Sequence, residues 1–154
     1  MSLKEESLKL DNQICFRLYK ASRTMVRLYQ PILESLRITY PQYITMLVLW
    51  EENTIDFKEL GKRLDLKTGT LTPIIKKLEV LEYAIREKNN DDNRKVWVKL
   101  TPKGRGLKSK AFKIPKLLTQ TIDMDFEQYL HYAAVLDELG DILTIAENKK
   151  KEFQ

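Results

Sequence analysis

The chain has 154 residues, 43% of them hydrophobic and 32% charged, with a net charge of +5 at pH 7. That is enough for one domain with a core that needs no disulfide or metal, and too apolar for an intrinsically disordered chain. No apolar run of about 18 residues is present, which excludes a membrane-spanning helix, and the start MSLKEESLKL lacks the apolar stretch of a signal peptide, which predicts a cytoplasmic protein with no membrane partner. One cysteine and one histidine exclude an internal disulfide and a structural zinc site. A Ser-His-Asp hydrolase would have to rest on His131 alone, and nothing in the pattern calls for a cofactor.

The charge is unevenly spread. Lys58 to Lys113 holds 16 basic against 7 acidic residues, a balance of +9, while the rest of the chain holds 11 basic against 15 acidic, a balance of −4. A basic middle between acidic ends fits a module that meets a polyanion, although a solvated charged face would give the same count.

The hydrophobic spacing of Ile14, Leu18, Ala21, Met25 and Leu28 predicts a helix from Leu8 to about Tyr29, with Pro31 allowing a break or a new start. Thr39-Tyr40-Pro41-Gln42 reads as a capping box with Ile38 and Tyr43 as its hydrophobic staple, opening a helix that is apolar on most sides and belongs deep in the core. Asp56-Phe57-Lys58-Glu59 repeats the start signal for a short helix to about Leu64, with Ile55 and Leu60 as staple. Thr68 then reads as the cap of a helix through Leu71, Ile74, Ile75, Leu78 and Leu81, with Pro73 tolerated if that helix begins near Gly69 or Thr70. Two short helices joined by a tight turn form a helix-turn-helix pattern.

The period then changes. Tyr83–Lys88 and the alternating Val96, Val98 and Leu100 predict two strands around the polar turn Asn89-Asn90-Asp91-Asp92-Asn93-Arg94, a hairpin with a charged tip. A helix-turn-helix followed by such a hairpin is a winged helix. Thr101-Pro102 opens another helix, which Pro115 must kink or end. Asp125-Phe126-Glu127-Gln128 opens the last, expected to reach about Ala146 with an apolar stripe of Tyr129, Ala133, Leu136, Leu139 and Leu143 and a frayed Lys149-Lys150-Lys151 tail. The fold class is therefore mostly α: a single domain over 1–154, with a winged helix-turn-helix at about 54–101 flanked by helices at about 5–38 and 102–147. Those flanking helices can pack on their own core. Dimerisation is the favoured use, because a winged helix needs little extra cover and DNA half-sites come in symmetric pairs.

The order of helices, helix-turn-helix, wing and long terminal helices resembles the MarR family of bacterial transcription regulators. Asp92-Asn93-Arg94 followed by Val98-Lys99-Leu100-Thr101-Pro102-Lys103-Gly104 is similar to that family's wing signature. The strings Asn12-Gln13-Ile14-Cys15-Phe16, Thr39-Tyr40-Pro41-Gln42-Tyr43 and Thr68-Gly69-Thr70-Leu71-Thr72-Pro73 resemble its one-cysteine organic hydroperoxide branch more closely, over about residues 8–145. The resemblance implies that Cys15 is a peroxide-reactive thiol and that Tyr29 and Tyr40 hold its thiolate from the partner subunit, with Tyr19 nearby. It also implies that Thr68, Thr70 and the turn that follows read the major groove, and that Arg94 enters the minor groove. Thr68 stands where relatives often have Ser, which keeps the cap. With no second cysteine, oxidation would end in a sulfenic acid, a mixed disulfide with a low-molecular-weight thiol, or overoxidation.

Each of these residues also has a plainer reading. A lone cysteine on a helix is usually a small buried hydrophobe, and the tyrosines alone would be core or interface aromatics. Lys76 and Lys77 after a Thr-rich helix start read as phosphate contacts, with Thr72 and Arg86 grouped among the DNA-binding residues. Arg94 can pair with Asp91 or Asp92 and still present its guanidinium. Gly104-Arg105-Gly106 lacks the remaining glycines of a phosphate loop. The reading that follows is a cytoplasmic, homodimeric repressor on a pseudo-palindromic double-stranded DNA operator, released when organic hydroperoxide oxidises Cys15. The alternatives are release by a small apolar or phenolic ligand, or a thiol peroxidase, which would need an external reductant and would leave the basic wing unexplained.

Overall fold

The helix expected from Leu8 begins later and runs further. In the structure, a computed structural model that describes residues 3–88 and 95–152, a short helix α1 (Leu3–Ser7) and a 3-10 turn at Leu10–Asn12 precede α2 (Ile14–Glu34). Pro31 lies inside α2 without ending it. The missing N–H costs one intrahelical bond, but the residues beyond, Leu33 and Leu36, are fully buried and hold the last turn in the core. The chain divides into two compact units, Met1–Pro115 and Lys116–Gln154.

The next helix, α3 (Tyr40–Glu52), starts as its sequence predicts: the Thr39 N–H donates to Gln42 Oε1 at 2.9 Å, and the staple residues Ile38 and Tyr43 are both buried. Met46 and Leu49 are completely buried, and the buried Thr45 hydroxyl is satisfied by donating to the Pro41 carbonyl at 2.8 Å. Asn53, at φ 59°, turns the chain out of the helix.

The winged-helix elements follow in chain order. They are β1 (Thr54–Asp56), α4 (Phe57–Arg63), α5 (Thr68–Val80), β2 (Ala84–Lys88) and β3 (Val96–Leu100). The strands form an antiparallel sheet in the order β1-β3-β2, with Ile55 opposite Val98 and Arg86 opposite Val98 on the other side, so β2 is an edge. The sequence showed no sign of β1, because three residues are too few to display a period. Leu60, Leu71, Ile75, Leu78 and Val98 are fully buried and join α4, α5 and the sheet into one core with α3.

A Thr101 cap, accepting from the Gly104 N–H at 3.0 Å, opens α6 (Pro102–Ala111). Pro115 neither kinks nor ends α6. It falls at the second position of a new helix, α7 (Ile114–Ile122), where a missing N–H is harmless. In the second unit, α8 (Phe126–Glu152) opens with a reciprocal box: the Gln128 N–H donates to Asp125 Oδ1 at 2.8 Å, and the Asp125 N–H to Gln128 Oε1 at 3.1 Å. It continues past Ala146 and through the lysine run expected to fray. Among the described residues, no helix is long and apolar enough to cross a membrane.

Candidate functional site

The connection between α4 and α5 is tight because Gly61 permits it. The Leu66 N–H donates to the Gly61 carbonyl at 2.8 Å, and a Cβ on Gly61 would lie 2.8 Å from the Leu66 carbonyl oxygen. Asp65, at φ 52°, completes the turn. Asp56 caps α4, accepting from the Lys58 and Glu59 N–H groups at 2.8 and 3.3 Å. Arg63 ties α4 to the end of α3 through Glu51 and Glu52.

Thr68 is the first helical residue of α5 and not its cap; that position belongs to Lys67, which provides no side-chain bond. Pro73 therefore sits deeper than expected, at the sixth helical position. Leu71, Ile75 and Leu78 face the core, while Thr68, Gly69, Thr70, Lys76 and Lys77 are exposed. Thr72 is half-buried and its hydroxyl donates to the Thr68 carbonyl at 2.8 Å. The outward face of α5 thus combines two exposed threonines near a helix N-terminus, where the dipole favours anions, with two lysines about two turns further on.

The wing strands are where the alternation put them, but the tip, residues 89–94 including Arg94, lies outside the described residues. Arg86 does not project as a free cation. Its guanidinium meets the Glu79 carboxylate of α5 at 2.8–3.2 Å, and its backbone N–H donates to the same group at 3.0 Å. This fork holds Glu79 below the usual carboxylate range and raises Arg86 further. Sequence reasoning missed the pair, as it missed Lys99–Glu87 across the wing and Lys103–Glu82 at its base. Nothing in the spacing signals such contacts.

Cys15 is exposed at the second position of α2. The turn before it is pinned by side chains: Gln13 donates to the Ser7 carbonyl at 2.6 Å and Asn12 to the Glu6 carbonyl at 2.8 Å. Tyr29 and Tyr40 are half-buried and in tilted contact, ring centroids 4.8 Å apart with 50° between the planes, and Tyr43 adjoins Tyr29 at 5.8 Å but belongs to the core. Burial, with Tyr40 beside it, pushes the Tyr43 phenol up. Tyr19 is exposed, and its hydroxyl accepts from Arg23 at 2.7 Å. Cys15 and Tyr29 lie on one helix, so a rise of about 1.5 Å per residue separates them by about 21 Å. The chain on its own brings the two tyrosines together and leaves the thiol apart. Among the described residues no cluster of metal ligands exists.

The α4-turn-α5 pair with its hairpin defines a winged-helix DNA-binding module. A family profile described as transcriptional regulator SarA/Rot matches residues 27–111. The chain is 45% identical over 115 residues to the organic hydroperoxide resistance transcriptional regulator of Bacillus subtilis strain 168, covering 75% of this chain and 78% of that protein. It is 34% identical over 126 residues to the regulator SarZ of Staphylococcus saprophyticus, covering 82% of this chain and 86% of that one. A structure of reduced AbfR bound to DNA superposes with a TM-score of 0.81 at 33% identity, covering 94% of this chain and 99% of that one. The chain belongs to the MarR family of winged-helix transcriptional regulators, in the branch of the redox-sensing organic hydroperoxide regulators. These are regulators and not enzymes, which sets the thiol peroxidase reading aside.

Proposed function

We propose that the protein is a homodimeric repressor that holds a pseudo-palindromic operator while Cys15 is reduced and leaves it when an organic hydroperoxide oxidises that thiol. The observation that carries this reading is the exposed single cysteine at the start of α2, about 21 Å along the helix from Tyr29 in the Tyr29–Tyr40 pair. In a symmetric dimer held by the terminal helices, at about 5–38 and 102–147, the tyrosines of one copy meet the thiol of the other. Their hydroxyls, with Tyr19 nearby, donate to the thiolate and favour it. The relative named for hydroperoxide resistance supports the choice of oxidant.

The thiolate attacks the terminal oxygen of the hydroperoxide. A sulfur–oxygen bond forms, the O–O bond breaks, and the alkoxide leaves and takes a proton from water, so the sulfur is oxidised by two electrons to a sulfenic acid while the peroxide is reduced to an alcohol. Condensation with a low-molecular-weight thiol releases water and gives a mixed disulfide. Either product overfills a close-packed site and changes the spacing of the two reading helices across the dimer, which spoils the fit to both half-sites. Thr68 and Thr70 face base edges, Thr72 supports them, Lys76 and Lys77 meet phosphates, and Arg94 enters the minor groove.

The test is a gel-shift series on a duplex that the reduced protein selects from a random library. The reduced protein binds, cumene hydroperoxide releases it, and dithiothreitol restores binding. Binding untouched by the hydroperoxide overturns the switch, and failure to select any duplex overturns the DNA reading.

A further inference from the structure

Arg86, exposed on the wing of a basic module, invites the role of a phosphate contact. Its surroundings argue otherwise. β2 is an edge strand of the sheet, and the Arg86 N–H points away from β3 to the Glu79 carboxylate at 3.0 Å. The guanidinium closes on both oxygens of that carboxylate, with Nε at 3.1 and 3.2 Å and a terminal nitrogen at 2.8 Å. One carboxylate thus takes the donors of one residue's backbone and side chain together. Both partners are only part-exposed, 34% for the Arg86 side chain and 27% for Glu79, so the pair is shielded from solvent more than the other wing ion pairs.

Glu79 is also out of place on its own helix. It stands in the last turn of α5, where the helix dipole disfavours an anion. An anion there is accounted for by the cation it receives from β2. The fork therefore joins the end of the reading helix to the free edge of the wing. Apart from the fork, the hairpin is attached to α5 through the turn at 81–83, with Glu82 at φ 61°, and through the core that Ala84 and Val98 share with Leu71, Ile75 and Leu78, while β2 beyond Ala84 is exposed. Every residue of strand beyond that turn adds about 3.3 Å of lever arm, so a small tilt at the base becomes a large displacement further out.

We propose that Glu79 and Arg86 are a positioning pair that sets the angle of the wing against α5, and that Arg86 serves operator binding through this geometry and not through a phosphate. The proposal rests on the DNA-binding reading above. It makes Glu79, an acidic residue in a DNA-facing module, favourable to operator binding.

The opposite signs make it testable. Affinity of the intact protein is measured against salt, for the duplex selected by the wild type and for a scrambled duplex of the same length, with Tm recorded for each variant. Glu79→Gln removes a negative charge, so a purely electrostatic role tightens binding, whereas a positioning role weakens it on the selected duplex about tenfold (the loss of roughly one good contact, 1.4 kcal/mol). Arg86→Gln loses a similar factor on the selected duplex, with the scrambled duplex unaffected and the slope of log affinity against log salt unchanged. A phosphate contact would instead lower that slope by about 0.9 and weaken both duplexes alike. The exchanged pair E79R/R86E, at a Tm close to wild type, recovers most of the selected-duplex affinity. Tighter binding by Glu79→Gln, a reduced slope in Arg86→Gln, or an exchanged pair no better than the single variants overturns the proposal. A wild type that selects no duplex overturns the DNA reading instead.

Discussion

Cys15 and Tyr29 share one helix and are held apart by it: fourteen positions of α2 put about 21 Å between a thiol at the first turn and a ring that packs against Tyr40, centroids 4.8 Å apart. No side-chain rotation spans that distance. A site containing both residues has to be made by two chains, and that requirement gives a complementation test.

Mixing Cys15→Ser chains with Tyr29→Phe chains generates a dimer in which one thiol faces the unaltered Tyr29 of the other chain and the second site has lost both groups. Fast oxidation is therefore expected to return in the mixed dimer for about half the sites present in wild type, though neither homodimer shows it. Stopped-flow oxidation of the mixture measures this. A rate no faster than that of the Tyr29→Phe homodimer would place the tyrosine and thiol in the same chain's site or in none.

Two glycines of α6 give opposite predictions. A Cβ on Gly104 would lie 2.1 Å from the Tyr83 carbonyl oxygen, while one on Gly106 meets nothing within 4 Å. The close approach at Gly104 also serves the Trp50 indole, which donates to the Gly104 carbonyl at 2.9 Å. Gly104→Ala is expected to destabilise the fold by about 2–4 kcal/mol, because backbone must move. Gly106→Ala is expected to stabilise it by about 0.5–1 kcal/mol through helix propensity. Urea unfolding of both variants checks the signs.

That contrast also marks what the sequence could reveal. The caps at Asp56, Thr101 and Asp125 were legible because a cap is a local arrangement among residues three apart, and the structure makes each of those bonds. The winged-helix order was legible from the change of hydrophobic period after Leu81. Thr68 was misread as a cap because its residue type is right, but the chain is already helical at Thr68, which puts the cap at Lys67, a residue with no such chemistry. β1 was invisible because its partner is 43 residues away at Val98 for Ile55. Glu79–Arg86 was hidden because its two members stand on different elements, and only the turn between α5 and β2 brings them together. Cys15, Tyr29 and Tyr40 were singled out by resemblance, since composition gives a lone thiol and two aromatics no role.

The pH dependence of stability follows from Glu79. The hydrogen bonds from the Arg86 side chain, with lesser help from its N–H and charge, hold the carboxyl below its ordinary value of 4.5. A carboxyl depressed in the folded state stabilises it above the unfolded value, and that stabilisation is lost as pH falls through the folded value. Urea midpoints are therefore expected to fall as pH drops below the ordinary carboxyl value of 4.5, and to fall less steeply in Glu79→Gln. Parallel curves for the two proteins would remove Glu79 from the account.

In the second unit, α8 exposes Leu136, Leu143, Ile142 and Ile145, each more than half accessible in the isolated chain. If a second copy covers this apolar helix, Leu136→Asp buries an unpaired charge at a cost of about 3–5 kcal/mol. Sedimentation is expected to give a dimer for wild type at micromolar concentration and monomer for the variant. A monomeric wild type would end the dimer reading.

The switch itself is tested most directly at the sulfur. Cys15→Ser keeps the size and hydrogen-bonding capacity of the side chain but removes the atom that the hydroperoxide oxidises. Since Cys15 is exposed at the second position of α2 and buries nothing in the core, the substitution is expected to leave stability within about 0.5 kcal/mol of wild type and operator affinity unchanged. Release by cumene hydroperoxide is expected to disappear. Tyr29→Phe and Tyr40→Phe keep the ring contact and remove only hydroxyls, so they are expected to slow release by roughly tenfold, about the worth of one charge-assisted hydrogen bond each, without abolishing it. Gel shifts on the selected duplex, with and without hydroperoxide, read all three variants. Release of Cys15→Ser as complete as that of wild type would put the sensor elsewhere in the chain.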